Sequence, residues 1–268
     1  MAIATLNGIH LSYHVQGEGE LVVLVAGTGS PGRVWQLHQV PALVAAGYRV
    51  ATVDNRGIPP SDECAGGITI EDLVGDTAAL IEHLGQPPAR LMGTSLGARI
   101  VQELALARPD LVSQAVMLTA HGRQDGAMAA FSAGERALHD AGIELPSAYH
   151  AAITAMLNLS PRTLSDRAAL QEWLDLFEFS GSQISVGVRA QLEVDDFPDR
   201  LAAYRGIRVP SLVIGFADDR MVPPHLAREV AEAIPGARYE EIEGCGHFGY
   251  LERPAEVNEL VMKFFTGA

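Results

Sequence analysis

Apolar and polar positions along the chain alternate between two periods. Residues 3–15 alternate singly around Asn7-Gly8, the pattern of a hairpin. LVVLVAG (21–27) and YRVATVD (48–54) are continuous apolar runs, as expected of parallel strands buried on both faces. ARLMGT (89–94), SQAVMLTA (113–120), PSLVIGF (210–216) and ARYEEI (237–242) read as further strands. Between them the period lengthens to that of helices over 34–47, 68–85, 96–109, 223–236 and 254–265. Strands alternating with helices predict an α/β fold, a mostly parallel sheet flanked by helices.

The rhythm breaks after residue 122. Residues 123–185 hold helical patterns and no clear strand, so they are expected to form a helical insertion. The expected division is a core of 1–122 and 186–268 with the insertion between them. Hydrophobic residues make up 48% of the chain, which excludes a disordered protein. The net charge of −14 disfavours nucleic acid and anionic membranes as partners. The only two cysteines, Cys64 and Cys245, lie far apart, so neither a disulfide framework nor a cysteine-based metal site is expected. The N-terminal stretch lacks the charged and apolar regions of a signal peptide, and no apolar run could span a bilayer. The expected location is the cytoplasm. Abundant Ala, Gly and Arg, with Lys263 the only lysine, point to a bacterial source.

Candidate chemistry begins at Gly93-Thr94-Ser95-Leu96-Gly97, between a predicted strand and a predicted helix. There a serine occupies a tight, strained turn that exposes its hydroxyl, and the small neighbours let the backbone fold back. A serine needs a base. His247 lies between glycines in the loop after the last predicted strand. The base needs a carboxylate to orient it. Asp218 and Asp219 follow the strand 210–216, and Asp125 follows the strand before it. Acyl transfer also needs amide donors for the developing oxyanion, and the N–H of Leu96 is placed to be one.

The order Ser95, Asp218/Asp219, His247 resembles the α/β-hydrolase superfamily over nearly the whole chain. The first hairpin, the Gly27-Thr28-Gly29 turn, Asp54-Asn55-Arg56-Gly57 and Ser61-Asp62 carry the same resemblance. It implies that 123–185 is the family's inserted helical cap. It also implies that Asp219 is the triad acid in preference to Asp218, because Pro223 then follows at the family's spacing. Thr28 becomes the second oxyanion donor, with Ala26 where the family commonly has histidine. A serine nucleophile argues against dehalogenase- or epoxide-hydrolase-like chemistry and for hydrolysis of an ester, thioester or related carbonyl bond. Esterases, thioesterases and cofactor-free perhydrolases share that machinery, and no cofactor or metal is implied. The expected partner is a small hydrophobic acyl or aryl substrate. Met128, Phe131, Tyr149, Met156, Leu157, Trp173, Phe177 and Phe179 are candidates to line its pocket, and Arg123 to meet a substrate carboxylate.

Three other readings stay open. A non-hydrolytic enzyme (an eliminase, cyclase or lyase) could use the same triad, or a binding module could keep it as a relic. Gly27-Thr28-Gly29-Ser30-Pro31-Gly32 also spells a dinucleotide-binding turn, with Asp54 as its ribose acid. An NAD(P)-dependent oxidoreductase is therefore an alternative, although that turn accounts for none of Ser95, Asp219 or His247.

Overall fold

A computed structural model describes residues 1–180, 185–194 and 196–267. The chain begins with β1 (Ala2–Leu6), β2 (Ile9–Gln16), β3 (Leu21–Val25), α1 (Gln39–Ala45), β4 (Arg49–Asp54) and α2 (Ile70–His83). It continues through β5 (Ala89–Thr94), α3 (Leu96–Ala107) and β6 (Val112–Leu118). Then come α4 (Gly126–Asp140), α5 (Ser147–Asn158), α6 (Pro161–Ser165), α7 (Arg167–Ser180), α8 (Val186–Val194) and α9 (Leu201–Tyr204). The last elements are β7 (Ser211–Phe216), α10 (Pro224–Ala233), β8 (Arg238–Ile242), α11 (Gly249–Glu252) and α12 (Pro254–Thr266).

The strands form one eight-stranded sheet in the order β1-β2-β4-β3-β5-β6-β7-β8. The β1–β2 and β2–β4 pairs are antiparallel, and every later pair is parallel. Because side chains alternate across a strand, β3 serves both faces. Leu21, Val23 and Val25 join the core under α2 and α3 with Leu80, Ile100 and Leu104. Val22 and Leu24 join the opposite core with Leu43, Val257, Val261 and Phe265 from α1 and α12. Both faces are therefore covered, as the unbroken apolar runs require.

The helix expected over 34–47 is split. Gly32–Trp35 forms a 3-10 turn, and α1 starts only at Gln39. Pro41 explains the break: it lacks an N–H and its ring clashes with the carbonyl four residues back, so it fits only the first turn of a helix.

The run of helices between β6 and β7 continues past residue 185 through α8 and α9, which periodicity did not reveal. Residues 181–184 of the expected insertion lie outside the described residues. α8 is held by tertiary contact more than by propensity. A Cβ on Gly187 would lie 2.1 Å from the Gly57 carbonyl oxygen, while Ala190 and Val194 join the core under α2 and α3. By contrast α5 and α7 share a separate small core of Ala151, Ala155, Leu159 and Phe177. Among the described residues, no helix is long and apolar enough to cross a membrane, and no cluster of three or more His, Cys, Asp or Glu could hold a metal ion.

Candidate active site

Ser95 sits where β5 turns into α3, with φ 54° and ψ −120°. A non-glycine residue with such a φ is strained by about 1–3 kcal/mol, so the surroundings must hold it there. They do so from two sides. The Ser95 N–H donates to Thr119 Oγ1 at 2.9 Å and to the Leu118 carbonyl at 3.1 Å, tying the turn to the end of β6. The flanking glycines permit the close crossing: a Cβ on Gly93 would lie 2.1 Å from the Gly97 oxygen, and one on Gly97 the same distance from the Val25 oxygen.

His247 lies in the loop between β8 and α11 and is buried. Its Nδ1 is 2.8 Å from Asp219 Oδ2. The other oxygen of Asp219 accepts from the N–H groups of Met221 and Val222, both at 2.8 Å. A carboxylate oxygen accepts, so Nδ1–H donates to Asp219, and this leaves Nε2 as the ring nitrogen turned away from the carboxylate. The carboxylate that reaches His247 is thus Asp219. Asp218 donates its backbone N–H to the Cys245 carbonyl, and Asp125 caps α4 by accepting from Met128 N–H.

Ser95, His247, Gly27 and Thr28 line one cavity of about 800 Å³. Among the described residues no hydrogen bond joins Ser95 Oγ to His247. The Thr28 loop is pinned from several directions. Asn55 donates to the Ala26 carbonyl, and Gly29 N–H donates to Gln191 Oε1, whose amide in turn donates to the Arg56 carbonyl. Leu96 is the first residue of α3, so its N–H has no acceptor within the helix; its side chain is buried in the core.

The same loop fails as a dinucleotide turn. No α-helix opens at its glycines, and Asp54 accepts from Gly32 N–H at 2.8 Å rather than facing a ribose. The pocket candidates also divide. Met128, Phe131 and Leu157 line the cavity. Tyr149, Met156 and Phe179 are exposed instead, Phe179 at 91%. Trp173 and Phe177 stack against each other and against Phe248, inside the helical layer. Arg123 is absent from the cavity wall and forms a two-pronged ion pair with Glu229 at 2.8 and 2.6 Å.

Sequence reasoning missed three side chains. His121 lines the cavity and is 3% exposed. Burial pushes its pKa down to about 4, helped by the positive charge of Arg99 and only partly opposed by the Thr119 backbone, so the ring is neutral. Its place just past β6, at the carboxyl edge of the sheet, was a usable signal. Glu252 accepts from Gly246 N–H at 2.7 Å, Ser160 Oγ at 2.8 Å and Thr163 Oγ1 at 2.6 Å. It therefore fastens the His247 loop to the start of α6. Arg220, next to Asp219, donates to the carbonyls of Met156 and Leu159 at the end of α5. Neither link is visible in the sequence, since each joins segments far apart along the chain.

The alpha/beta hydrolase family pattern matches residues 22–260. A Mycobacterium tuberculosis H37Rv protein provisionally named non-heme bromoperoxidase BpoC is 47% identical over 258 residues, covering 96% of this chain and 98% of the relative. The crystal structure under that name, from the same strain, superposes with a TM-score of 0.93 over 96% of each chain. An Azorhizobium caulinodans protein provisionally named carbamate hydrolase RutD is 31% identical over 258 residues, covering 95% of this chain and 94% of the relative. With this sheet order and these matches, the chain belongs to the alpha/beta hydrolase family.

Proposed function

We propose that the protein is a serine hydrolase that cleaves an ester, thioester or related carbonyl bond of a small molecule through an acyl-enzyme. The observation that carries this reading is the oriented His247–Asp219 pair opening onto the same cavity as a strained Ser95. In this reading Ser95 Oγ attacks the carbonyl carbon while His247 Nε2 takes its proton. Asp219 holds the imidazole and stabilises its charged form. The amides of Thr28 and Leu96 receive the oxyanion. His247 then passes the proton to the leaving group, and water, deprotonated by the same ring, releases the acid. Catalytic hydrogen bonds are often long in free enzymes and tighten when substrate arrives, which is the step that would join Ser95 to His247. The helices between β6 and β7 serve as a cap over the site.

Short-chain p-nitrophenyl esters and a fluorophosphonate probe test the reading. Turnover and labelling are expected in the wild type, and Ser95→Ala is expected to lose on the order of 10⁴-fold or more in rate, because triad members act as a unit. Asp219→Asn should cripple turnover far more than Asp218→Asn. Labelling without turnover of any ester would favour a non-hydrolytic enzyme. A folded protein with neither labelling nor turnover would favour a binding module.

A second reading is favoured by the identity to the protein provisionally named a bromoperoxidase. Hydrogen peroxide, in place of water, would take the acyl group from Ser95 and leave as a peracid. The peracid would then oxidise bromide to hypobromous acid and return to the carboxylic acid. Bromination of monochlorodimedone in acetate, peroxide and bromide tests it: activity lost in Ser95→Ala supports this route, and activity that persists removes it.

A further inference from the structure

β6 ends beside Ser95, and the chain that leaves it turns sharply. Thr119 has φ 51°, a left-handed conformation that a β-branched residue adopts only under constraint. Its Oγ1 accepts from Ser95 N–H at 2.9 Å, so two strained residues hold each other at the ends of neighbouring strands. His121 follows two residues later. At no more than about 3.6 Å per residue, its backbone lies within about 7 Å of Thr119. The His121 carbonyl accepts from Gln102 of α3 at 3.2 Å. Its ring packs on Phe197 at 5.6 Å between centroids, and the Arg99 guanidinium lies 3.5 Å over the Phe197 ring. The imidazole is thus fixed on the α3 side, and it lines the cavity that Ser95 and His247 share.

Other polar side chains of the cavity wall are already engaged. Arg220 donates to the Met156 and Leu159 carbonyls, and Asn158 Nδ2 donates to the Thr154 carbonyl. Thr94 Oγ1 lies 3.3 Å from Thr119 Oγ1. His139 and His150 line the cavity too, but neither residue is buried. His121 differs from all of these. It is 3% exposed, and among the described residues its Nδ1 has no hydrogen-bond partner. A buried polar atom without a partner costs free energy that a bound group can recover. The ring is neutral, because burial and the Arg99 charge oppose its protonation, as does His247 when charged. It therefore brings no charge to offset a buried carboxylate or ammonium. A neutral imidazole offers one N–H donor and one lone pair. A hydroxyl, which both donates and accepts, suits either tautomer.

We propose that His121 is a specificity-determining residue whose ring binds a hydroxyl on the acyl part of the substrate, close to the reacting carbonyl. This rests on the serine-hydrolase reading and names a substrate class for it, a hydroxyacyl compound. The leaving group departs after the first step, whereas the acyl part stays on Ser95, so a deeply buried contact beside Ser95 is assigned to the acyl part. The short path from Ser95 through Thr119 to His121 puts the hydroxyl within a few bonds of the carbonyl, and not at the far end of a chain.

Three p-nitrophenyl esters of equal chain length test this on the full-length protein: hexanoate, 3-hydroxyhexanoate and 6-hydroxyhexanoate, each rate divided by that ester's own rate with hydroxide. The wild type is expected to favour the 3-hydroxy ester over hexanoate in kcat/KM by about tenfold, the scale of one buried hydrogen bond. His121→Phe, which keeps a ring against Phe197, should bring that ratio close to one. His121→Leu makes the same deletion if the phenylalanine variant does not fold. His121→Asn, whose amide keeps a donor and an acceptor, should restore part of the preference, which a merely structural role for the ring would not produce. A wild-type ratio near one, a ratio that survives the deletion, or a larger gain for the 6-hydroxy ester overturns the assignment and leaves the serine-hydrolase reading standing. No turnover of any ester and no fluorophosphonate adduct overturns that reading and this inference together.

Discussion

At the scale of single residues, the site depends on conformations that only certain side chains allow. Ser95 holds a positive φ although it is not glycine, and Gly97 lies so close to the Val25 oxygen that any Cβ would collide with it. Gly97→Ala is therefore expected to displace the turn and to lower both fluorophosphonate labelling and the denaturation midpoint; normal labelling would show that the crossing can relax. His121 gives a pH-dependent prediction. In the folded chain its pKa is near 4, below the 6.5 of a free imidazole. Between those values the unfolded chain takes up a proton that the folded chain refuses. This contribution to stability is thus intact above pH 6.5 and is lost as pH falls toward 4. Denaturation midpoints at pH 7 and pH 5 should fall less steeply for His121→Phe than for the wild type, and equal slopes would exclude this origin.

At the scale of elements, two polar links position what packing alone leaves free. Glu252, from α11, joins the His247 loop to α6, and Gly246 in that loop approaches so closely that a Cβ would lie 2.5 Å from the Asn158 oxygen. Loss of the clamp should loosen the loop that carries the imidazole. Glu252→Ala is expected to reduce kcat with little change in KM, and Glu252→Gln, which keeps an acceptor, should restore part of it. A change confined to thermal stability would reduce Glu252 to a structural role. The second link joins the segment after β4 to α2. Arg56 donates to both oxygens of Asp76 at 2.7 Å, with both side chains buried. Asp76→Asn would strand a buried cation. The expected cost is about 3 kcal/mol, the low end for such pairs because Asp72 remains 3.3 Å from Arg56. Chemical denaturation measures it directly.

At the scale of the molecule, one sheet with both faces covered forms a rigid base, and the helices between β6 and β7 supply most of the cavity's outer wall. Packing of α8 and α9 into the core joins the helical layer to the base, and several polar links between the two fall beside the candidate site: Arg220 to the end of α5, Phe248 to Asn158, Glu252 to Ser160 and Thr163. Movement of the helices relative to the base would therefore be felt at Asp219 and His247. Hydrogen exchange is expected to protect the amides of β3, β5 and β6 most and those of α4 and α7 least, because Ser132 and Phe177 are the only buried residues on those two helices. Equal protection would mean that the helical layer does not open separately.

Much of this was legible along the chain because the signals are local. Continuous apolar runs mark strands buried on both faces, a period near 3.6 marks the long helices, and Gly93-x-Ser95-x-Gly97 between strand and helix marks the elbow. The split before α1 followed from Pro41, a local signal that periodicity overrode. Other features came only from the tertiary structure. Two adjacent aspartates differ by one step along a loop, and the path of that loop decides which of them meets His247. Which apolar side chains of α4 and α5 face the cavity, and which face solvent or each other, depends on how the helices sit on the sheet. The neutral His121, whose ring feels Arg99, and the Glu252 clamp on Ser160 and Thr163 each bring together residues more than twenty positions apart in the chain. Periodicity reports the faces of an element; what each face meets is decided by packing.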